Sequence, residues 1–335
     1  ITRLYKLYIL IPNYIYEPGQ AICMVYSCDE SERFVNLEFA GATWSVRQRY
    51  VLKKSIGKGI SGVVVSATDS QTNCSAVAIK KVDFLNQPMR TQVARQILRE
   101  VRLMHCMKHP NIITLLDIML PPVLMHSLLS SRQPLLSELY IVTELMSTDL
   151  YQILSAAQCP STIFFLKLGQ VQYLLYQLMC GVQYMSSAGV IHRDLKPSNL
   201  LIDLRSCQLR ICDFGLARAI PRRRVGSFQG KMKRDTLGLH DPMTEYVVTR
   251  CYRAPELLLG NAHYGPGIDI WSVGCIMAEM LAPSMGILFR GKERRETLTR
   301  IASILGRPST AELWFVANTD AYKFMNSLPL VVPGA

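Results

Sequence analysis

The hydrophobic pattern changes along the chain from short strand-like runs to a helical stripe. Between Tyr50 and Val82, short apolar runs alternate with polar turns and glycine, which predicts a small antiparallel sheet. After Pro88 the apolar residues recur at the spacing of one helix face. These residues are Val93, Ile97, Val101 and Met104. The pattern therefore predicts a sheet followed by one helix, which ends at residues 109–111.

Two further strands and two long helices are predicted beyond this helix. Residues 112–118 and 139–145 have the pattern of strands. A helical stripe follows, with Gly189 as its stop signal. The stripe consists of Val171, Leu174, Leu175, Leu178, Val182 and Met185. Residues 268–281 are apolar almost all round, which predicts a helix buried in the centre of a larger lobe. We expect an α+β protein with a strand-rich N-terminal lobe, a boundary near Ser147 and a helical C-terminal lobe.

Composition and charge narrow the class of protein without choosing a function. The 335 residues include 37 Lys and Arg against 25 Asp and Glu, a net charge of +12, and 49% are hydrophobic. This balance excludes a disordered chain, and no apolar run approaches the ~18 residues that a membrane span needs. The positive charge admits phosphate-bearing ligands, nucleic acid, acidic lipid or acidic proteins. Ten cysteines without a C-x-x-C pair favour a reducing compartment over a zinc site or disulfide framework.

Gly57, Gly59 and Gly62 form a G-x-G-x-x-G pattern between two predicted strands. Glycines let the backbone approach a phosphate closely, although the pattern alone also fits an ordinary hairpin turn. A dinucleotide-binding fold would need a helix directly after the glycines, whereas residues 63–66 resemble a strand.

Lys80 and Glu100 place charges beside apolar strand and helix positions. Burying either charge costs less free energy when the two charges are paired. We therefore predict an ion pair beneath the glycine loop. Taken singly, a lysine that extends to solvent and a glutamate at the helix flank explain them equally well.

A dense polar cluster lies between two apolar runs in residues 190–202, V-I-H-R-D-L-K-P-S-N-L-L-I. Asp194, Lys196 and Asn199 supply a base, a cation and a carboxamide within six positions, and D-F-G follows at 213–215. A structural core histidine would explain His192 alone, but not the whole cluster.

In order, the glycine loop, V-A-I-K, H-R-D-L-K-P-x-N, D-F-G and A-P-E resemble a eukaryotic protein kinase over about residues 50–310. Thr244 and Tyr246, in T-E-Y, resemble the activation motif of the extracellular-signal-regulated type of mitogen-activated protein kinase. The resemblance implies a two-lobed fold with an antiparallel β-sheet N-lobe, one main helix there, and a mainly α-helical C-lobe. It implies an N-terminal extension at 1–49, the N-lobe and hinge at 50–146, and the C-lobe at 147–335, with 310–335 matching weakly.

The resemblance also assigns a role to each matching residue. Asp194, Lys196, Lys80 and Glu100 would be catalytic, with Asp194 accepting the proton of the substrate hydroxyl. ATP would contact Ile56, Gly57, Gly59, Gly62, Val64, Ala78, Lys80, Thr143, Glu144, Met146, Asp149 and Leu201. Mg²⁺ would be held by Asn199 and Asp213. Phosphates on Thr244 and Tyr246 would be coordinated by Arg99, Arg193, Arg218, Arg250 and Arg253.

The same resemblance implies that the chain would be an ATP-dependent Ser/Thr kinase that acts at Ser/Thr-Pro sites in intracellular signalling. Its partners would be an upstream dual-specificity kinase, protein substrates and phosphatases, in the cytoplasm and nucleus, with no nucleic-acid or membrane partner. An inactive or scaffold ATP-binding kinase fragment is the alternative. A cyclin-dependent kinase is disfavoured because no cyclin-binding helix motif follows Pro88.

The sequence departs from this family at four places. Ser61 replaces an aromatic residue at the tip of the glycine loop. Cys251 replaces the tryptophan near the site that accepts a proline. The activation segment carries an extra basic stretch at 222–234, which fits a solvated loop or a docking patch. Finally, the match fades after Ser309, so we expect a C-lobe incomplete at its C-terminal end, with Glu256 buried without its partner.

Overall fold

The computed structural model describes residues 33–59, 62–72, 75–84, 90–121, 138–158, 166–219, 250–261, 264–316 and 319–329. The chain forms two compact units. Unit 1 consists of Ile1–Lys108 and Ile112–Met146, and unit 2 consists of His109–Asn111 and Ser147–Ala335.

Unit 1 is built on a five-stranded antiparallel sheet in the order β3-β4-β5-β7-β6. Its strands are β3 (Tyr50–Gly59), β4 (Gly62–Asp69), β5 (Ser75–Asp83), β6 (Leu115–Met119) and β7 (Glu138–Glu144). The single helix described in this unit is α1, Arg90–Cys106, whose residues Ile97, Val101 and Met104 are buried as the apolar spacing predicts. The predicted sheet between Tyr50 and Val82 is confirmed.

A hairpin that the sequence pattern did not predict precedes this sheet. Strands β1 (Phe34–Phe39) and β2 (Ala42–Arg47) pair in antiparallel register. Trp44 and Val46 from β2 are fully buried in one core with Val65, Ile79 and Tyr140 of the sheet. The hairpin therefore closes one side of the core of unit 1.

The strand predicted at 112–118 begins three residues later in the structure, at Leu115. The strand begins later because Asn111, which belongs to unit 2, is held there by hydrogen bonds. Its carbonyl accepts from the Ile211 N–H at 2.9 Å, and its side-chain Nδ2 donates to Gln177 Oε1 at 3.2 Å. Hydrophobicity alone does not reveal that these hydrogen bonds hold the chain before the strand starts.

Unit 2 combines helices with short β-ladders. Its helices are α2 (Leu150–Ala157), α3 (Leu168–Ser187), α4 (Pro255–Leu258), α5 (Gly267–Leu281), α6 (Arg294–Leu305) and α7 (Thr319–Ser327). Its strands are β8 (Thr148–Asp149), β9 (Val190–Ile191), β10 (Leu200–Asp203), β11 (Gln208–Ile211) and β12 (Arg218–Ala219). They form one sheet in the order β11-β10-β8 and a β12-β9 pair. Helix α3 buries its predicted stripe except for Leu175, which is half-buried, and Gly189 follows its end with φ +72°.

Residues 268–281 were predicted to form a helix buried in the centre of a larger lobe, and α5 is buried on one face only. One face is buried and includes Ile268, Val273 and Ile276. On another face Ile270, Met277 and Leu281 are 47%, 43% and 55% exposed, because the described residues pack on only part of the helix. No helix among the described residues is long and apolar enough to cross a membrane.

The packing of unit 1 predicts that two valine-to-alanine substitutions lower the free energy of unfolding by very different amounts. Val65→Ala removes two methyl groups at a position with 0% exposure, and we expect the free energy of unfolding to fall by about 2 kcal/mol. Val51→Ala, at a position 48% exposed on the neighbouring strand, should cost less than about 0.5 kcal/mol. Urea unfolding of both variants measures the difference, and equal losses would contradict this account of the core.

Candidate active site

The glycine turn joins β3 to β4, with Gly59 paired to Gly62 and Gly57 paired to Val64. A register shift separates Ser55 from Gly57. Gly62 has φ +140°, and a Cβ there would lie 1.8 Å from the carbonyl oxygen of Lys81 on β5. Glycine is therefore required at 62 by the backbone of the next strand as well as by its own conformation. Residues 60 and 61, including the Ser61 departure, lie outside the described residues.

Lys80 and Glu100 form the ion pair that their sequence positions predict. The Lys80 Nζ lies 3.1 Å from both carboxylate oxygens of Glu100, which is 7% exposed on α1. Strand β5 holds Lys80 opposite Val64 on one side and Ile141 on the other. A two-pronged contact of this kind fixes the direction of the ammonium group. Arg99 is half-buried beside Glu100 on the same helix.

Three apolar positions assigned to contact with ATP lie on adjacent strands of unit 1. Ile56 on β3 is 48% exposed, whereas Val64 on β4 and Ala78 on β5 are half-buried. Ala78 is paired with Thr143 on β7. These side chains offer partly exposed apolar surface at the glycine-turn half of the sheet.

Glu144 and Met146 were assigned to contact with ATP, and the structure shows how Glu144 is held. The Thr114 N–H donates to Glu144 Oε1 at 2.9 Å, and the Glu144 N–H donates to the Thr114 carbonyl at 3.4 Å. Both the side chain and the N–H of Glu144 are thus directed at the chain before β6. Met146 is the half-buried last residue of unit 1.

In unit 2, Asp194, Lys196 and Asn199 converge on one carboxylate. The Lys196 Nζ lies 2.7 Å from Asp194 Oδ2. Asn199 Nδ2 donates to the Asp194 carbonyl at 2.8 Å and to Oδ2 at 3.4 Å. Asp194 and Asn199 are buried, and the 3-10 turn Pro197–Asn199 brings the amide back to the carboxylate. The arrangement holds a base beside a cation, as proton transfer in a charged reaction requires.

The buried side chain of His192 stabilises the loop that carries Asp194. It is fully buried, its Nδ1 accepts from the Asp194 N–H at 3.3 Å, and its Nε2 lies 3.0 Å from the Cys212 carbonyl. Since Nδ1 accepts, Nε2 carries the proton and donates. Phe214 of D-F-G packs on the imidazole with ring centroids 5.1 Å apart. His192 therefore joins the catalytic loop to the strand that leads to Asp213.

A residue that the sequence reasoning did not assign holds the same loop. The buried carboxylate of Asp269, in the first turn of α5, accepts from the His192 N–H at 2.8 Å and the Arg193 N–H at 2.9 Å. Burial raises the pKa of this carboxyl, and the two N–H donors act in the opposite direction. Arg193 has φ +70°, a strained conformation that these bonds stabilise. An ionisable residue at the start of an otherwise apolar helix was the signal for it in the sequence.

Asn199 and Asp213 suit the magnesium ion that the motifs imply. The amide nitrogen of Asn199 is used as a donor to Asp194, which leaves its oxygen as a ligand. Asp213 is exposed with φ +65°, and one carboxylate oxygen accepts from the Gly215 N–H at 3.4 Å. No group of three or more His, Cys, Asp or Glu in the described ranges could hold a metal. Two hard oxygen ligands match Mg²⁺, which keeps water and takes its other ligands from phosphates.

Asp149 and Leu201, assigned to the nucleotide, are cross-strand partners of β8 and β10. Asp149 Oδ1 caps α2 by accepting from the Gln152 N–H at 2.9 Å. Burial raises the pKa of Asp149, while this hydrogen bond lowers it. Part of the role of Asp149 is therefore structural.

The arginines assigned to phosphate coordination fall in both units. Arg218 is on β12, paired with Ile191 just before the catalytic loop. The Arg193 guanidinium lies 5.1 Å from the centre of the Tyr264 ring. Arg250 is the first residue of the 3-10 turn Arg250–Tyr252, and Arg253 directly follows this turn. Thr244, Tyr246 and the basic stretch 222–234 lie outside the described residues.

The Cys251 and Glu256 departures fall within unit 2. Cys251 is buried, with Sγ 3.8 Å from the Gly291 carbonyl. Glu256 is only half-buried, which corrects the expectation of a buried acid, because it lines an open cavity of about 1150 Å³.

Comparison with known proteins assigns this site to a class. The protein kinase domain model matches residues 50–328, so the chain has a protein kinase domain. It is 39% identical over 300 residues to mitogen-activated protein kinase 3 of Arabidopsis thaliana, covering 89% of this chain and 70% of that protein. It is 42% identical over 287 residues to mitogen-activated protein kinase 4 of Oryza sativa subsp. japonica, covering 85% and 68%. It is 40% identical over 300 residues to mitogen-activated protein kinase homolog NTF6 of Nicotiana tabacum, covering 89% and 71%.

The chain belongs to the mitogen-activated protein kinase family and is a protein serine/threonine kinase. The expected α+β kinase fold is confirmed, with an antiparallel sheet and one described helix in unit 1 and several helices in unit 2. Kinases of this family use ATP and Mg²⁺.

The Lys80–Glu100 pair predicts a selective loss of activity. Glu100→Gln removes the charge that orients the ammonium group, and we expect kcat/KM for phosphate transfer to a serine peptide mixture to fall about 10²-fold. Glu138→Gln is the matched control, since it breaks a more exposed pair between neighbouring strands, with Glu138 Oε2 2.7 Å from the Lys81 Nζ. The control should stay within about twofold of the parent. Equal losses in the two variants would show that the Lys80 pair has no special role.

Proposed function

We propose that this kinase transfers the γ-phosphoryl group of ATP to serine or threonine followed by proline, and that phosphorylation of Thr244 and Tyr246 activates it. The observation that supports the reaction best is the convergence of Lys196 and Asn199 on the buried carboxylate of Asp194. Proline direction rests on the resemblance of the activation segment, with Cys251 at the position where the family has tryptophan.

Asp194 would orient the substrate hydroxyl and accept its proton. The hydroxyl oxygen forms a bond to the γ-phosphorus while the bond to the β-phosphate bridging oxygen breaks, and ADP leaves. Lys196, held 2.7 Å from Asp194, would offset negative charge on the transferring group. Bound Mg²⁺ would neutralise charge on the phosphates, held by the oxygens of Asn199 and Asp213.

In unit 1, Lys80 would bind the α- and β-phosphates. Glu100 fixes the direction of its ammonium group, as the two 3.1 Å contacts indicate. The glycine turn, with Gly62 against the Lys81 carbonyl, has no side chain at that point to obstruct a phosphate.

Activation would act through the arginines of the site. A phosphate adds about −1.5 to −2 charges at neutral pH and attracts guanidinium groups strongly. The phosphate on Thr244 would gather Arg99, Arg193 and Arg218, and that on Tyr246 would meet Arg250 and Arg253. The positions of Arg193 beside Asp194 and of Arg218 on β12 support a coupling between phosphorylation and the catalytic loop.

The proposed partners follow from this cycle. An upstream dual-specificity kinase would phosphorylate Thr244 and Tyr246, phosphatases would reverse the reaction, and substrates would carry Ser/Thr-Pro sites. We propose that the protein acts in the cytoplasm and nucleus.

The function is tested by Asp194→Asn. We expect kcat for transfer to Ser-Pro peptides to fall about 10²- to 10⁴-fold, because the base is lost while ATP binding is kept. Asp203→Asn, at an exposed carboxylate bonded to Ser147 and Ser206, is the control and should retain activity. If the parent binds ATP but transfers nothing, and Asp194→Asn changes nothing, the chain is instead an ATP-binding scaffold. Ser-Ala peptides in the same assay test proline direction.

The activation motif predicts a second loss of kinase activity. Thr244→Ala combined with Tyr246→Phe should lower activity about 10²-fold relative to the phosphorylated parent, because the arginines would then lack their anions. The measurement compares both proteins after treatment with an activating kinase. Activity equal to that of the activated parent would refute phosphorylation control.

A further inference from the structure

Strand β11 (Gln208–Ile211) lies at the edge of its sheet and leads directly toward Asp213. In the order β11-β10-β8, it has a neighbouring strand on one side only. The free side of an edge strand presents a row of N–H and C=O groups that need other partners. On β11 these partners come from Gln177 of helix α3 and from Asn111. The two residues take the place of a neighbouring strand.

The side chain of Gln177 is buried, and each of its polar atoms makes two hydrogen bonds. Its Oε1 accepts from the Leu209 N–H at 3.0 Å and from Asn111 Nδ2 at 3.2 Å. Its Nε2 donates to the Cys207 carbonyl at 2.9 Å and to the Tyr173 carbonyl at 3.4 Å. A carboxamide has two acceptor and two donor positions, so Gln177 is fixed in one orientation with its full capacity used.

Asn111 continues the row toward the end of β11. Its Nδ2 also donates to the Leu209 carbonyl at 3.1 Å, and its carbonyl accepts from the Ile211 N–H at 2.9 Å. The Asn111 N–H donates to His109 Nδ1 at 3.1 Å, and the His109 ring stacks on Tyr184 of α3 with ring centroids 4.8 Å apart. Asn111 is therefore attached to α3 as well as to β11.

Helix α3 also approaches this strand closely. A Cβ at Gly181 would lie 2.6 Å from Ile211 Cδ1 and 3.4 Å from the Asn111 carbonyl oxygen. Any larger residue at 181 would have to displace the Ile211 side chain, so glycine permits this approach. The position of β11 is thus set by direct packing against α3 in addition to the hydrogen bonds.

The end of β11 is joined to both residues that are proposed to hold magnesium. Asp213 follows Ile211 by two positions. Between them, Cys212 donates its N–H to the Asn199 carbonyl at 3.0 Å. Asp213 has φ +65°, an uncommon conformation that persists only when the surrounding backbone is fixed. A shift of β11 would therefore displace the oxygen ligands of both residues.

We propose that Gln177 is a positioning residue, which sets the affinity of the kinase for Mg²⁺ by fixing β11 and, through it, Asp213. Gln177 acts through the backbone, since its amide is used on β11, on Asn111 and on its own helix. Replacing residues that orient metal ligands commonly weakens metal binding by about 10- to 100-fold. The inference rests on the proposed function in one respect, because it takes Asp213 and Asn199 as the magnesium ligands.

The test measures metal binding without phosphate transfer. Mn²⁺ serves as the probe in place of Mg²⁺, and electron paramagnetic resonance gives its dissociation constant in the presence of ADP. Gln177→Met keeps the length of the side chain but leaves the Leu209 N–H and the Cys207 carbonyl without their partners. We expect this variant to bind Mn²⁺ about tenfold more weakly than the parent. In phosphate transfer, the Mg²⁺ concentration for half-maximal rate should rise by the same factor, whereas kcat at saturating Mg²⁺ should be kept.

Two controls on the same helix separate positioning from a general loss of stability. Gln183→Met is the same change at an exposed position and should leave Mn²⁺ binding unchanged. Val171→Ala removes buried methyl groups, so it should lower the free energy of unfolding without changing Mn²⁺ binding. Urea unfolding of each variant shows that the protein is folded in the binding assay and measures the loss of stability.

Asn111→Ala is a milder second variant, which decides the question if Gln177→Met does not fold. It removes the side-chain donors to Gln177 and Leu209 and keeps the carbonyl that accepts from the Ile211 N–H. We expect it to weaken Mn²⁺ binding in the same direction by a smaller factor.

Folded Gln177→Met and Asn111→Ala variants that bind Mn²⁺ as tightly as the parent would overturn the proposal. It would also be overturned if Val171→Ala weakened Mn²⁺ binding as much as Gln177→Met at an equal loss of stability. Asp213→Asn separates this inference from the proposed function. If Asp213→Asn keeps Mn²⁺ binding, the proposed magnesium ligands are wrong. If it abolishes binding while Gln177→Met has no effect, only the positioning role of Gln177 is rejected.

Discussion

The catalytic loop of unit 2 depends on one buried carboxylate. Asp269 accepts the N–H groups of His192 and Arg193, and thereby holds Arg193 at a positive φ just before Asp194. Desolvation opposes the charge on Asp269, so the two donors are needed to retain it. Without this anchor the backbone would relax toward commoner conformations, and Asp194 would lose its position beside Lys196.

The same helix also positions the segment that carries the arginines. Ser272, one turn after Asp269 on α5, donates to the Tyr252 carbonyl at 2.8 Å, and the Tyr252 hydroxyl donates to Glu279 of that helix. Burial raises the pKa of Tyr252, since its hydroxyl lies in apolar surroundings next to this carboxylate. The polar side chains on the buried face of α5 therefore connect the catalytic loop and the 250–253 turn through one rigid element. This explains why an almost wholly apolar helix contains three buried polar residues.

Much of the site could be predicted from local sequence motifs. The remaining residues could not be predicted because their roles depend on contacts between distant parts of the chain. Lys80 and Glu100 could be paired from sequence because strand and helix periodicity each place a charge at an awkward position. The role of Asp269 could not be derived in the same way, since its partners lie 76 and 77 residues earlier in the chain. The β1–β2 hairpin was missed because Trp44 becomes a core residue only when the sheet is present. Gly62 was expected to serve a phosphate, whereas its close neighbour is the Lys81 carbonyl, which only the folded sheet reveals.

Electrostatic interactions connect the catalytic carboxylate of Asp194 with the arginines of the 250–253 turn in unit 2. Arg253 is attracted by Asp194 and repelled by Arg193, Arg250 and Arg294, so its environment would change if the proposed phosphate on Tyr246 reached it. That phosphate would relieve the repulsion among these guanidinium groups and fix the 250–253 turn, in which the Arg250 Nη1 donates to the Lys292 carbonyl just before α6. A phosphate bound by the arginines of this turn and a correctly placed catalytic loop would then stabilise each other, because the turn and the loop both contact α5. The proposed phosphorylation of Tyr246 would in this way favour the arrangement of the loop that carries out phosphate transfer.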